Sequence, residues 1–143
     1  MTHETPEWLV ATVKYEGYPL ALRVRPHADT VEHRSRLPFV AAVTHHLALT
    51  RADGMPEPDY NDSLAVLDHA VIGTLEASGS GLTVLVETLA GKRTYYAYVE
   101  AESHAQAAVA RLCSSFPGER ITLVVRRDVA WDLYGEYKRR FPW

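Results

Sequence analysis

The sequence predicts an α+β fold, an antiparallel sheet with helices packed against it. Three observations carry this. Short runs rich in β-branched and aromatic residues recur along the chain, helical-period apolar stretches interrupt them, and Gly or Pro marks most junctions. At 143 residues, with 47% hydrophobic and 23% charged side chains, the chain is long enough to bury a core as one domain spanning 1–143.

The stretch EWLVATVKYEGYPLALRVRP reads as a hairpin turning at Glu16-Gly17, where Gly17 can take the positive φ of a tight turn. Pro26 ends its second strand, and the polar, His-rich span from Pro26 to Leu37 reads as a loop. The apolar run from Pro38 to Thr50 is expected to be a strand near the middle of the sheet. Gly54, Pro56 and Pro58 break it. A helix is predicted next, capped by Asp59 and carrying Tyr60, Leu64, Leu67, Val71 and Leu75 on one side. The stretch ASGSG closes that helix, and LTVLVETL and RTYYAYVE form two strands joined by Ala90-Gly91-Lys92. Ser103 and Gln106 make a capping box for a helix striped with Ala105, Ala108, Val109, Leu112, Cys113 and Phe116. ERITLVVRR is the last strand. Asp128 is expected to cap a final helix bearing Trp131, Tyr134 and Tyr137, with Lys138, Arg139 and Arg140 complementing its C-terminal dipole.

The order is therefore β-β-β-α-β-β-α-β-α. Without the leading hairpin and the last helix it becomes β-α-β-β-α-β, the order of an antiparallel sheet with both helices on one face. The expected architecture is a ferredoxin-like βαββαβ core with an extra N-terminal β-hairpin and a C-terminal helix.

Several functions are disfavoured. A formal net charge of -3 gives no global attraction to DNA or anionic lipid. One cysteine leaves no internal disulfide and favours a reducing compartment. With no signal-peptide pattern in MTHETPEWLV and no apolar run of membrane length, a soluble cytoplasmic protein is expected. His45 and His46 are strand neighbours that point to opposite faces and cannot share an ion. His27, His33, His69 and His104 are scattered, so neither a metal nor any other cofactor is expected. The Ser78–Gly81 run follows a helix and precedes a strand, the reverse of a phosphate-binding loop. No Gly-x-Ser-x-Gly elbow is present, and Glu87, Glu100, Asp128, Asp132 and Glu136 fit solvated or capping positions. No catalytic residue is assigned, and Cys113 on its apolar stripe is expected in the core.

Two groups of residues are candidates for binding. In RTYYAYVE, Tyr96-Ala97-Tyr98-Val99 matches the aromatic-small-aromatic-aliphatic centre of the RNP1 pattern of RNA-recognition motifs. That would aim Tyr96 and Tyr98 at the helix-free face for base stacking. Thr94-Tyr95 and Ala101 depart from the pattern's basic-Gly start and aromatic close, and Val43-Thr44-His45-His46 offers no second aromatic platform. Packing beneath the hairpin is the favoured reading of these tyrosines. Arg23 and Arg25 lie opposite Leu20, Leu22 and Val24 on their strand, Arg93 opens the tyrosine strand, and Arg126-Arg127 close the last one. Gathered at one sheet edge, Arg23, Arg25, Arg93 and Arg126 would bind a phosphate or carboxylate. Ion pairing with Glu87, Glu100 or Asp128 is the favoured alternative.

The stretches EWLVATVKYEGYPLALRVR, LPFVAAV, DGMPEPDYNDSLAVLDHAV, GLTVLVETLAGKRTYYAYVE and RRDVAWDLYGEYKRRFPW together resemble a bacterial family catalogued as domain of unknown function 695. The resemblance spans nearly the whole chain. Its most specific parts are Gly91, Arg93, Tyr95, Tyr96, Tyr98 and Val99, and the ending Asp128-x-x-Trp131-x-x-Tyr134. Members of that family are sometimes joined to a domain similar to ribonuclease E inhibitors of the B type, small acidic proteins that act by protein contact. The resemblance thus implies a non-catalytic protein-binding or regulatory module with another protein as partner. RNA or single-stranded nucleic-acid binding on the open sheet face, and an enzyme for a small anionic substrate, are the alternatives. Trp131 either anchors the final helix to the sheet or contributes to a contact surface. No membrane partner is expected, and a homodimer is compatible with an open sheet face.

Overall fold

The structure, a computed structural model, describes residues 8–141 and 143. Among the described residues six strands build one sheet: β1 Leu9–Tyr15, β2 Tyr18–Val24, β3 Phe39–His46, β4 Gly81–Leu89, β5 Lys92–Val99 and β6 Arg120–Arg127. They lie in the order β1-β2-β4-β5-β3-β6, and every neighbouring pair is antiparallel. Five α-helices accompany them among the described residues: α1 Val31–Arg36, α2 Pro58–Ser63, α3 Ala65–Leu75, α4 Glu102–Ser115 and α5 Asp132–Arg140. The α+β class expected from the sequence is observed. Both tight hairpins close through two left-handed residues, Glu16 and Gly17 in one and Ala90 and Gly91 in the other. Such turns match the twist of the strands they join. Lys92 already belongs to β5, so the second turn is one residue shorter than expected.

Local expectations needed several corrections. The span read as a loop contains α1, whose Thr30 hydroxyl accepts from the His33 amide at 3.1 Å; the helix buries no residue, so no apolar stripe announces it. The strand expected to reach Thr50 stops at His46, because the Leu47 amide donates instead to Gly91 O at the β4–β5 turn, 2.9 Å away. The single helix after Pro56 is two, α2 and α3, meeting at Leu64. In α2 the Ser63 hydroxyl donates back to Tyr60 O at 2.6 Å, a bond that bends helices. Asp59 lies inside α2 and not at its cap: Pro58 takes the first helical position, which its missing N–H and fixed φ suit. Ser103 likewise lies within α4, which begins at Glu102 after Ala101 and has no side-chain cap. Cys113 is exposed, since the buried stripe of α4 is Ala105, Ala108 and Leu112 and its neighbour falls to one side.

Strand alternation sends apolar side chains to both faces of the sheet. On one face Val43, Val86, Tyr95 and Ala97 meet Leu67, Val71 and Leu75 of α3 and Ala105 and Leu112 of α4. On the other, Leu20, Leu22, Val24, Leu85 and Tyr98 meet Trp131 and Tyr134. A fully buried Leu contributes about 1.5–3 kcal/mol of transfer free energy, so α5 and the residues before it hold the β1–β2 hairpin onto the sheet. The same face of β3 and β6, beyond Val40, is left without a helix over it.

Candidate functional site

The alternation also separates the arginines expected to gather at one edge. Arg23 turns toward α3 and Arg93 toward α2, Arg25 turns toward the end of α3, and Arg126 points to the opposite face. Arg23 donates to both carboxylate oxygens of Asp68, one bond measuring 3.0 Å, and the Tyr95 hydroxyl donates to the same group at 2.7 Å. Burial pushes the Asp68 carboxyl up, but the Arg23 and Tyr95 hydrogen bonds outweigh it and hold the group below the usual carboxylate range. Burial first, and then the Asp68 charge, raise the Tyr95 phenol. Arg93 donates to Thr88 Oγ1 at 2.9 Å and to Asn61 Oδ1 at 2.8 Å. Arg23, Asn61, Leu64, Ala65, Asp68 and Arg93 line a groove of about 240 Å³. Arg25 is buried, donating to Thr83 O at 2.9 Å and to Glu76 at 3.1 Å, with its guanidinium 4.6 Å from the Trp8 ring centre. The carboxylates that pair with Arg23 and Arg25 are therefore Asp68 and Glu76, not Glu87, Glu100 or Asp128. Asp68 flanks the apolar stripe of α3, and that position was the signal that it faces the sheet.

On the opposite face Tyr98 is fully buried, and Trp131 stacks on it with centroids 3.9 Å apart and planes 8° from parallel. Its hydroxyl donates to Asp128 at 2.7 Å; burial first, and then that bond, hold the phenol well above its usual range. Trp131 is buried as well, its indole N–H donating to Leu37 O at 3.0 Å. Neither ring has a face free for a base or a partner, which removes Tyr98 and Trp131 as contact residues. Tyr96 is half-buried beside Tyr137, with centroids 5.7 Å apart. Arg126 is exposed at the rim of a groove of about 230 Å³ that Tyr96, Ala42 and Val124 also line.

Beyond this groove the helix-free half of the sheet reads as rows across β5, β3 and β6. The pairings place Lys92, His46 and Arg120 in one row, Thr94, Thr44 and Thr122 in the next, and Tyr96, Ala42 and Val124 in the third. Thr44 and Thr94 share a hydrogen bond at 3.2 Å, and His46 reaches Thr122 at 3.4 Å. Slight desolvation, and then the nearby Arg120 and Lys92 charges, lower the His46 pKa. Among the described residues, none of the ion pairs involves Lys92, Arg120 or Arg126. The polar period in these strands is visible in the sequence, but only the register shows that its cations fall side by side. His45 points the other way, buried, and meets Glu119 at 2.9 Å.

A family model described as a family of unknown function, DUF695, matches residues 6–137. The chain belongs to this family. No curated protein and no solved structure matches it. In this DUF695 chain no helix of the described residues is long and apolar enough to cross a membrane, and those residues hold no cluster of three or more metal-binding side chains. The open rows offer cationic and hydroxyl donors on a flat β surface, which suits an extended anionic surface. The groove between Arg23 and Arg93 is small and open to solvent, which suits a compact ligand.

Proposed function

We propose that this DUF695 chain is a one-domain, non-catalytic regulator of the bacterial cytoplasm that binds an acidic protein surface on the open half of its sheet. The observation that carries the reading is the row Lys92-His46-Arg120, with Arg126 on the same face; His46 is half-buried, and the three cations are exposed beside threonines and unmatched by any carboxylate at ion-pair distance among the described residues. A single-sign patch steers and orients a complementary partner more than it adds raw affinity. The order β6-β3-β5-β4 supports a ferredoxin-like core, in which one sheet face stays clear of the two core helices. The resemblance to B-type ribonuclease E inhibitors, which act by protein contact, points the same way.

The test is affinity capture from the native host after nuclease treatment, followed by rebinding of the captured protein in purified form. The paired substitution Arg120→Glu and Arg126→Glu is expected to slow association and weaken rebinding by about tenfold or more, most at low salt. Rebinding that ignores both substitutions overturns the assignment of this face. Capture that disappears with nuclease transfers the face to nucleic acid, with Tyr96 as its remaining aromatic.

A further inference from the structure

The groove on the α3 side differs in chemistry from the open face and lies across the sheet from it. Asp68 is matched there: Arg23 and the Tyr95 hydroxyl both donate to it. Arg93 is not matched. Its two acceptors, Thr88 Oγ1 and Asn61 Oδ1, are neutral, and no ion pair among the described residues includes it. A guanidinium has five N–H groups, so with two engaged, three of Arg93's lack an acceptor among the described residues. The two bonds nevertheless fix the plane of the group, which lowers the ordering cost of binding. Because Asn61 Oδ1 is turned to Arg93, the donor this amide has left is Nδ2. Two arginines and one aspartate among the lining residues leave the groove with a net charge of +1.

We infer that this groove binds a small oxyanion, a carboxylate or phosphate group, held by Arg93 and Asn61. Guanidinium groups match both oxyanions with paired, charge-assisted hydrogen bonds. The volume of about 240 Å³ lies below the roughly 300–1,000 Å³ of pockets for drug-sized molecules, which limits the ligand to a small acid or the anionic end of a larger one. Asp68 does not expel the anion, because Arg23 donates to both of its carboxylate oxygens and neutralises it.

Calorimetric titration of the full chain with sodium phosphate, and separately with sodium acetate at matched ionic strength, tests this. Saturable binding of one or both is expected, and the stronger of the two identifies the group. Arg93→Gln should weaken it about ten- to a hundredfold, the worth of a charge-assisted contact. Asn61→Ala should weaken it less, and Arg139→Gln, at an exposed position of α5 on the other face, should leave it unchanged. Asn61 is exposed, so its variant carries the test if Arg93→Gln fails to fold. The inference falls if neither anion binds, if Asn61→Ala and Arg93→Gln bind as the parent does, or if Arg139→Gln weakens binding equally.

Discussion

Replacing Asp128 with alanine should loosen the whole α5 side of the sheet. The first four amides of a helix lack partners within it, and here all four of α5 are satisfied. Trp131 N at the cap donates to Asp128 O at 3.1 Å, Asp132 N and Leu133 N donate to the Asp128 carboxylate at 2.8 and 3.1 Å, and Tyr134 N donates to the Tyr98 hydroxyl at 3.3 Å. Asp128 also accepts the buried Tyr98 hydroxyl at 2.7 Å. Losing a side-chain cap costs about 0.5–2 kcal/mol, and orphaning a buried hydroxyl costs about 1–3 kcal/mol. The expected total for Asp128→Ala is about 2–4 kcal/mol, or roughly 1–2 M in the urea midpoint at an unchanged slope. Tyr98→Phe removes the hydroxyl but leaves the Tyr134 amide without its acceptor, at about 1–2 kcal/mol. In the double variant no hydroxyl is orphaned, so its cost should fall short of the summed single costs by about 1–2 kcal/mol. Urea unfolding of the four proteins measures this. A cost below about 0.5 kcal/mol for Asp128→Ala, or simple additivity, would refute the reasoning.

Two predictions concern pH. Asp68 titrates below its ordinary range in the folded chain, so its stabilisation is present above about pH 4 and is lost as pH falls through the folded value. The gap in urea midpoint between the parent and Asp68→Asn should therefore close on acidification, and a constant gap would show that Arg23 and Tyr95 do not stabilise the ionised form. Burial lowers the His45 pKa more than the Glu119 hydrogen bond raises it. The unfolded chain then takes up a proton first as pH falls below about 6.5, and stability should decline across that window. His45→Gln should flatten that decline whatever its effect on stability at neutral pH, and an unchanged slope would count against the assignment.

Element types were legible wherever the apolar period ran long enough. The hairpin turns at Gly17 and Gly91 and the stripe Leu67-Val71-Leu75 followed from residues within a turn or two of one another. Where the local signal was thin, the reading missed. Helix α1 buries nothing, and the bend at Leu64 depends on a hydroxyl bonding back to the chain rather than on any break in hydrophobicity.

The sequence by itself determined which side chains share a face of each strand, because alternation is a property of the extended backbone. It thus placed Tyr96 and Tyr98 together, away from the two core helices, and set Arg23 opposite Leu22 and Val24. Which partners those side chains meet was decided only by tertiary structure. Arg23 and Asp68 are 45 residues apart and Tyr98 and Asp128 are 30 apart, so their contacts depend on strand order and on where each helix lands. The strand order β5-β3-β6 gathers Lys92, His46 and Arg120 into one row, while the turn before α5 lays Trp131 over Tyr98. No periodicity within a strand encodes either event, because both arise from packing between segments far apart along the chain.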